Sequence, residues 1–341
     1  FRKTVPSTEI KASYNYQDRP EYKRNIISTS YNYSGSHKKL YFQFSPIQLN
    51  IVRLFNIDPS FYESLAGNPF MRNAYQDHFD FGLGGTMYYT TNTDVTPHST
   101  YHYFRFQLNS AGNLLSLFNP LMSKNADGSR MVWNTPYSQY VRGEFTAGKT
   151  WVFGKNERQS VATRFLAGAG YAYGNSGALP FEQHFYAGGA NSLRGWQARS
   201  VGPGLSVRDT SFVIPNQTGD MKLEANAEYR FGLFWKVNGA LFLDAGNVWT
   251  LNDTRHDSGS VSADEVAEAK PGKLTADNFI KGIALDWGAG LRLDLNFILV
   301  RLDLGIVLRD PSRDAGDRWA PPSRWFKRDG FSVHFGVGYP F

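Results

Sequence analysis

Cysteine is absent from the 341-residue chain. Its absence excludes disulfides, thiolate zinc sites, iron–sulfur clusters and Cys nucleophiles together. Charge is also scarce. Asp, Glu, Lys and Arg make up 19% of the residues, against about 25% in an average soluble domain. The net charge is only +6, and no Lys/Arg run is dense enough for a nucleic-acid track. Long apolar runs are missing too. The longest relevant uncharged run, Phe165–Phe181, is interrupted by Gly, Asn and Ser. A membrane-spanning helix needs about 20 mostly apolar residues. The chain opens Phe-Arg-Lys, with neither Met nor a signal peptide, as expected of a processed chain or a fragment.

Aromatic residues and glycine are abundant. The chain holds 26 Phe, 19 Tyr, 8 Trp and 33 Gly, and 41% of it is hydrophobic. Such a composition, with low charge and short alternating segments, is that of a transmembrane β-barrel, whose strands turn only every second residue to lipid. The clearest alternation lies in the last third. Ile298, Val300, Leu302, Leu304, Ile306 and Leu308 share one face, with Arg301, Asp303, Gly305 and Arg309 on the other. Leu223–Phe231 opposes Leu, Ala, Tyr and Phe to Glu224, Asn226, Glu228 and Arg230. Ile283–Leu293 opposes apolar groups to Asp286, two Gly and Arg292. Phe331–Phe341 alternates Phe331, Val333, Phe335, Val337, Tyr339 and Phe341 with Ser332, His334 and two Gly. A soluble sheet would not bury so many charges on its inner face, so the apolar face is assigned to lipid and the polar face to a lumen. On that assignment Leu302→Arg should be costly and Asp303→Asn much milder.

The pattern gives twelve strands, near residues 8–17, 25–34, 39–54, 79–91, 100–112, 138–153, 159–173, 221–232, 236–249, 282–295, 297–309 and 331–341. Short connections alternate with long ones, as periplasmic turns alternate with extracellular loops in outer-membrane barrels. The C-terminus falls on the periplasmic side. No repeat or interdomain linker appears, so residues 1–341 read as one barrel domain. The connection 56–78 has room for a short helix.

The connection 174–220 is the most informative. Its stretch FYAGGANSLRGWQARSVGPG, residues 185–204, surrounds Arg194 with glycines, Leu193 and Trp196. The glycines allow tight turns, as in a compact folded-back loop. An arginine carried into the lumen needs acceptors for its five donors. Glu228 and Asp244 have the inward parity on the two following strands and are the candidates.

These residues carry a family resemblance. Leu193-Arg194-Gly195-Trp196 resembles the Val-Arg-Gly-Phe/Tyr motif in the sixth extracellular loop of the BamA/TamA outer-membrane assembly-factor superfamily, the bacterial surface antigen family. Gly239, Phe242, Asp244 and Gly246 resemble its Gly-x-x-x-Phe-x-Asp-x-Gly strand, and residues 227–231 the strand before it. The wording of residues 185–204 is similar to the TamA-like branch of Bacteroidetes. His334, Gly336, Tyr339 and Phe341 fit an outer-membrane β-signal, a polar residue, Gly and aromatics up to a terminal Phe. The resemblance implies a sixteen-stranded barrel, of which these residues supply strands five to sixteen, with N-terminal strands and periplasmic POTRA repeats absent. The first and last strands of the chain should then not pair.

The function implied is insertion of client proteins into the outer membrane or their passage across it, without enzymatic chemistry, nucleotide or other cofactor. Implied partners are outer-membrane lipid and lipopolysaccharide, client outer-membrane or surface proteins, and a periplasmic or inner-membrane assembly partner, with no nucleic acid among them. The residues themselves suggest no metal site. His98 and His102 fall on a strand without the shared helical face of a metal pair. Asp253, Asp257, Asp264, Glu265 and Glu268 form an acidic loop best read as solvated. Two other classes stay open. A barrel phospholipase would need a Ser–His pair at the outer rim, for which only His256 with Ser258 or Ser260 offers itself. A passive porin would have no evident need for the Arg194, Glu228 and Asp244 set.

Overall fold

The computed structural model describes residues 6–60, 76–92, 99–126, 128–154, 158–207, 217–251, 270–295 and 298–341. His98, the acidic residues 253–268, and His256, Ser258 and Ser260 lie outside the described residues, as does most of the connection 56–78.

Alternating apolar and polar residues give long strands, and their connections make each pair antiparallel. The strands are β1 (Ser7–Asp18), β2 (Lys23–His37), β3 (Leu40–Phe55), β4 (His78–Thr90), β5 (Tyr101–Ala111) and β6 (Tyr140–Phe153). They continue with β7 (Gln159–Ala172), β8 (Met221–Phe234), β9 (Val237–Trp249), β10 (Ala284–Asp294), β11 (Leu299–Arg309) and β12 (Phe331–Val337). All twelve join one sheet in sequence order. Each strand therefore pairs with its chain neighbours, the meander that short turns and returning loops dictate. No helix among the described residues is long and apolar enough to cross a membrane.

The described sheet runs from β1 at one edge to β12 at the other. Among the described residues no ladder joins β1 to β12. Most of β1 is exposed on both faces, with Ile10 at 75%.

Register keeps the faces sorted. Glu228 lies opposite Phe242, Asn226 opposite Asp244, and Asp244 opposite Asp286. Arg292 lies opposite Arg301 and Asp303 opposite His334. These rows are buried, with His334 half-buried at their edge, whereas Leu241, Leu243, Leu291, Leu302 and Phe335 on the other face are exposed.

The end of the chain departs from the sequence pattern. Alternation through Phe341 implied a lipid-facing Tyr339 and Phe341. Instead β12 stops at Val337, and Gly338 turns the chain at a φ of 82°. Its N–H donates to the Leu299 carbonyl at 2.7 Å. Tyr339 and Phe341 then pack against arginines of the inward face. Pro340 has no N–H to give to a ladder, so the strand could not continue through it.

Candidate functional site

The loop 174–220 folds back on itself before it reaches the sheet. Phe185 and Gly219 exchange two backbone hydrogen bonds of 2.8 and 2.9 Å at its neck. Its tip is a tight turn in which the Trp196 N–H donates to the Leu193 carbonyl at 3.3 Å. Gly188 and Gly189 have φ of 96° and 101°, a region that admits glycine at no steric cost. Leu193 and Trp196 are buried with Phe185, Ala187 and Val201 against Val248, Ala284 and Val307 of the wall. Burying these side chains is what holds the turn down, at about 1.5–3 kcal/mol for a fully buried large apolar side chain.

The tip sits directly on the sheet. A Cβ on Gly305 would lie 2.1 Å from the Arg194 carbonyl oxygen, and one on Gly195 would lie 2.6 Å from the Asp286 Cβ. Both positions therefore need glycine for close approach rather than for a turn.

Arg194 is 1% exposed. Its Nε and Nη2 donate to the two Asp244 carboxylate oxygens at 2.8 and 2.9 Å, a bidentate fork. Its Nη1 donates to Glu228. Its backbone N–H also donates to Asp244, at 3.2 Å. Beneath the guanidinium lies the Phe242 ring, with its centroid 3.5 Å from Cζ. Asp244 and Phe242 are two residues apart on β9, so the pleat puts acid and ring side by side. Gly246 allows close strand contact, since a Cβ there would lie 2.3 Å from the Leu223 carbonyl oxygen. Gly239 belongs to the opposite face, where its missing side chain leaves room for the Phe231 ring.

The network extends beyond the residues that sequence motifs single out. Glu228 also accepts from Arg230 at 2.8 Å and Arg292 at 3.0 Å. Asp303 accepts from Arg292 and, at 2.9 Å, from Arg301. Arg301 in turn donates to the Ala190 carbonyl at 2.9 Å and to Asn191 in the loop. Asn226 bridges the Ser192 carbonyl and Asp244. Arg164 holds the Asn191 carbonyl at 2.8 Å. Far across the sheet, Glu182 of the same loop receives Arg24 of β2 at 2.6 Å and lies 3.3 Å from His78 of β4. Parity marked several of these residues as inward. No local signal gave their partners, because pairs such as Arg24 and Glu182 are 158 residues apart.

The C-terminal motif converges on the same arginine. His334 Nε2 lies 3.1 Å from the Arg194 carbonyl oxygen. Gly336 makes room for Arg301, whose Nε would be 2.6 Å from a Cβ there. Tyr339 stacks on Arg230 at 4.1 Å, and the Phe341 ring lies 5.1 Å from Arg164 and 5.9 Å from both Arg194 and Arg230. Such distances are within cation–π reach. Leu193–Trp196, Glu228, Asp244, Phe242 and the chain end thus form one buried cluster. His102 stands apart, on β5 between the Tyr89 and Phe104 rings. Among the described residues, no three His, Asp or Glu are grouped to hold a metal.

A membrane-spanning antiparallel sheet whose long loop is bound to its inner face by buried ion pairs defines a class of outer-membrane barrel. The model of the Omp85 superfamily domain matches residues 4–341, and the chain belongs to that superfamily. It is an outer-membrane β-barrel protein. Over 123 residues it is 30% identical to the outer membrane protein assembly factor BamA of Neisseria meningitidis serogroup B, an alignment covering 35% of this chain and 15% of that protein. Its fold is similar to BamA from Haemophilus ducreyi lacking POTRA domains 1-3, with a TM-score of 0.60 and 15% identity over 98% of this chain and 59% of the other. CdiB from Escherichia coli follows, with a TM-score of 0.49 and 12% identity over 98% of this chain and 49% of the other. The chain thus spans only part of the relatives it matches.

Proposed function

We propose that this barrel serves assembly: it helps client proteins insert into, or cross, the outer membrane, and it does so without covalent chemistry or a cofactor. The observation that carries the reading is the seating of Arg194 on Asp244, Glu228 and Phe242. A buried charge network on this scale fixes the loop against the wall that ends in β12. It also braces that wall where, among the described residues, the outer edge of β12 carries no partner strand. A client strand can add to such an edge by backbone hydrogen bonding, and lipid burial of the client drives the step. In a sixteen-stranded barrel with periplasmic POTRA repeats further strands would cover these edges, and the client would enter at a weak seam between the first and last strands. Client proteins, lipopolysaccharide and a periplasmic or inner-membrane assembly partner are the interactions this reading proposes. The TamA-like placement of the chain rests on the wording of residues 185–204.

The test is client folding in vesicles. The whole protein, reconstituted in phospholipid vesicles, should speed the folding of a urea-denatured outer-membrane β-barrel. Arg194→Ala should remove most of that acceleration while the barrel still forms. A client that folds equally fast with and without the protein overturns the reading. Phospholipid hydrolysis or steady single-channel conductance in the same preparations would instead support the enzyme or porin classes.

A further inference from the structure

The lipid-facing side of the barrel is almost free of charge. Asp18, Lys23 and Arg53 face outward at the extracellular strand ends, and so does Arg309, which a bulge in β11 sets opposite Leu285. Elsewhere among the described strands, Lys149 of β6 is the one Asp, Glu, Lys or Arg with outward parity. It is exposed, and no acidic group pairs with it among the described residues. A lone cation on a surface that meets hydrocarbon is costly unless it reaches the polar interface or an anion.

Its height is fixed by register. Lys149 lies opposite His102, the second residue of β5, and opposite Thr163 of β7. The outward rows between it and the periplasmic turn are rich in aromatics, with Trp151 and Phe153 on β6 and Tyr229 and Phe231 on β8 on either side of Val161 and Gln159 of β7. Phe153 stacks on Tyr229 at 6.4 Å, and Tyr229 on Phe231 at 5.4 Å. These rings form the aromatic girdle of the periplasmic interface. Lys149 stands one row further into the membrane, with Nζ 4.9 Å from the Trp151 ring centroid. From there its stem can reach the headgroup level.

A groove runs from this lysine toward the membrane centre. It encloses about 670 Å³ and is almost wholly apolar, a size in the range of roughly 300–1,000 Å³ seen for small-molecule sites. Its floor is Ala147, Ala225, Ala227 and Ala245, and the Phe104 and Phe165 rings flank it. Every lining side chain with outward parity is apolar except Lys149, His102 and Thr163, and those three share the row nearest the girdle. The groove therefore asks for a ligand with an anion at one end and hydrocarbon at the other. Its polar row lies toward the short turns, which points to the periplasmic leaflet.

We infer that β5 to β9 form a binding site for one anionic phospholipid of the periplasmic leaflet. Lys149 receives the headgroup phosphate and the alanine floor receives an acyl chain. The inference rests on the outer-membrane placement of the barrel and not on its activity in assembly.

Native mass spectrometry of the detergent-purified protein tests this. The protein is exchanged into equimolar phosphatidylglycerol and phosphatidylcholine, and the retained lipid is counted. The wild type should keep one phosphatidylglycerol in preference to phosphatidylcholine by about fivefold, the factor one lysine near an anionic surface supplies. Lys149→Ala should abolish the preference and Lys149→Arg should keep it. Ala227→Phe, which fills the floor, should lower retention of both lipids. Heat-modifiable migration on gels shows that each variant is folded, and Ala227→Phe decides the matter if Lys149→Ala is not. Equal retention of the two lipids by the wild type, an undiminished preference in Lys149→Ala, or displacement of the lipid by millimolar glycerophosphate would overturn the site.

Discussion

The two ends of the sheet carry similar ion pairs in opposite settings. On β1, Glu9 meets Lys11 at 3.0 Å, with the two side chains 52% and 58% exposed. Over β9, Arg194 of the long loop meets Asp244 at 2.8 Å with both essentially buried. Distance and chemistry are alike. What differs is the loop 174–220, which covers the inner face of β8 to β11. An exposed pair contributes about 0–1 kcal/mol. A buried pair is costly to assemble and costly to break, because removing one partner strands the other charge away from water. The lumen therefore has a locked side and a loose side.

The largest expected effect is at the lock. Arg194→Ala or Asp244→Asn should destabilise the seated loop by about 3–5 kcal/mol, the usual cost of breaking a buried pair. Limited proteolysis should then cut within 174–220 at concentrations that spare the parent, and urea titration should show the loss. Arg194→Lys should rescue little, since an ammonium cannot fill the Asp244 fork and stack on Phe242 together. Parent-like proteolysis in both variants would erase the distinction between the two ends.

Next in size is the lipid face. Leu302→Arg should cost about 2–4 kcal/mol in refolding into vesicles. Parity alone made Asp303→Asn the mild counterpart, and the structure revises that. Asp303 is fully buried between Arg292 and Arg301. An amide would leave Arg301 without its anion and Arg292 with Glu228 alone, so Asp303→Asn should cost about as much as Leu302→Arg. Urea unfolding of the two variants side by side checks the revision.

Much of this architecture is legible in the sequence because a period of two is a strong signal over strands this long. The eleven strands from β1 to β11 lie within about three residues of the positions read from alternation, an ordinary boundary error. The last strand was read four residues too far, since alternation continues in letters where backbone geometry does not. Gly338 and Pro340 were the available warning. Within the site, parity places Glu228 and Asp244 inward on neighbouring strands, which brings them within reach of one arginine. The roles of Arg292, Arg301 and Glu182 were not legible. Their partners depend on how a long loop lies across the sheet, and no local pattern records that.

A smaller effect is expected where the loop touches the wall without charge. Gly305→Ala brings a Cβ to 2.1 Å from the Arg194 carbonyl oxygen, and backbone cannot swing away as a side chain can. The tip must lift or the strand must bend, at a cost of about 1–3 kcal/mol for overpacking. Gly316→Ala is the control, because a Cβ there meets nothing within 4 Å. Proteolysis of 174–220 should rise in the first variant and stay unchanged in the second.

The smallest effect is expected on β1, and it separates burial from charge as the cause of the difference between the two ends. Glu9→Gln removes the acid from an ion pair nearly as short as the one between Arg194 and Asp244. Both partners are more than half exposed, so water and salt already screen their attraction. Lys11 stays solvated after its partner is gone, and no desolvated charge is left behind. The expected loss is under about 1 kcal/mol. It should fall further in high salt, whereas the loss from Asp244→Asn should hardly respond, because ions do not reach a fully buried site. Urea titrations of the two variants at low and high salt read both quantities. If Glu9→Gln proved as damaging as Asp244→Asn, β1 would be covered in the working protein, and its inner face would belong with the locked side.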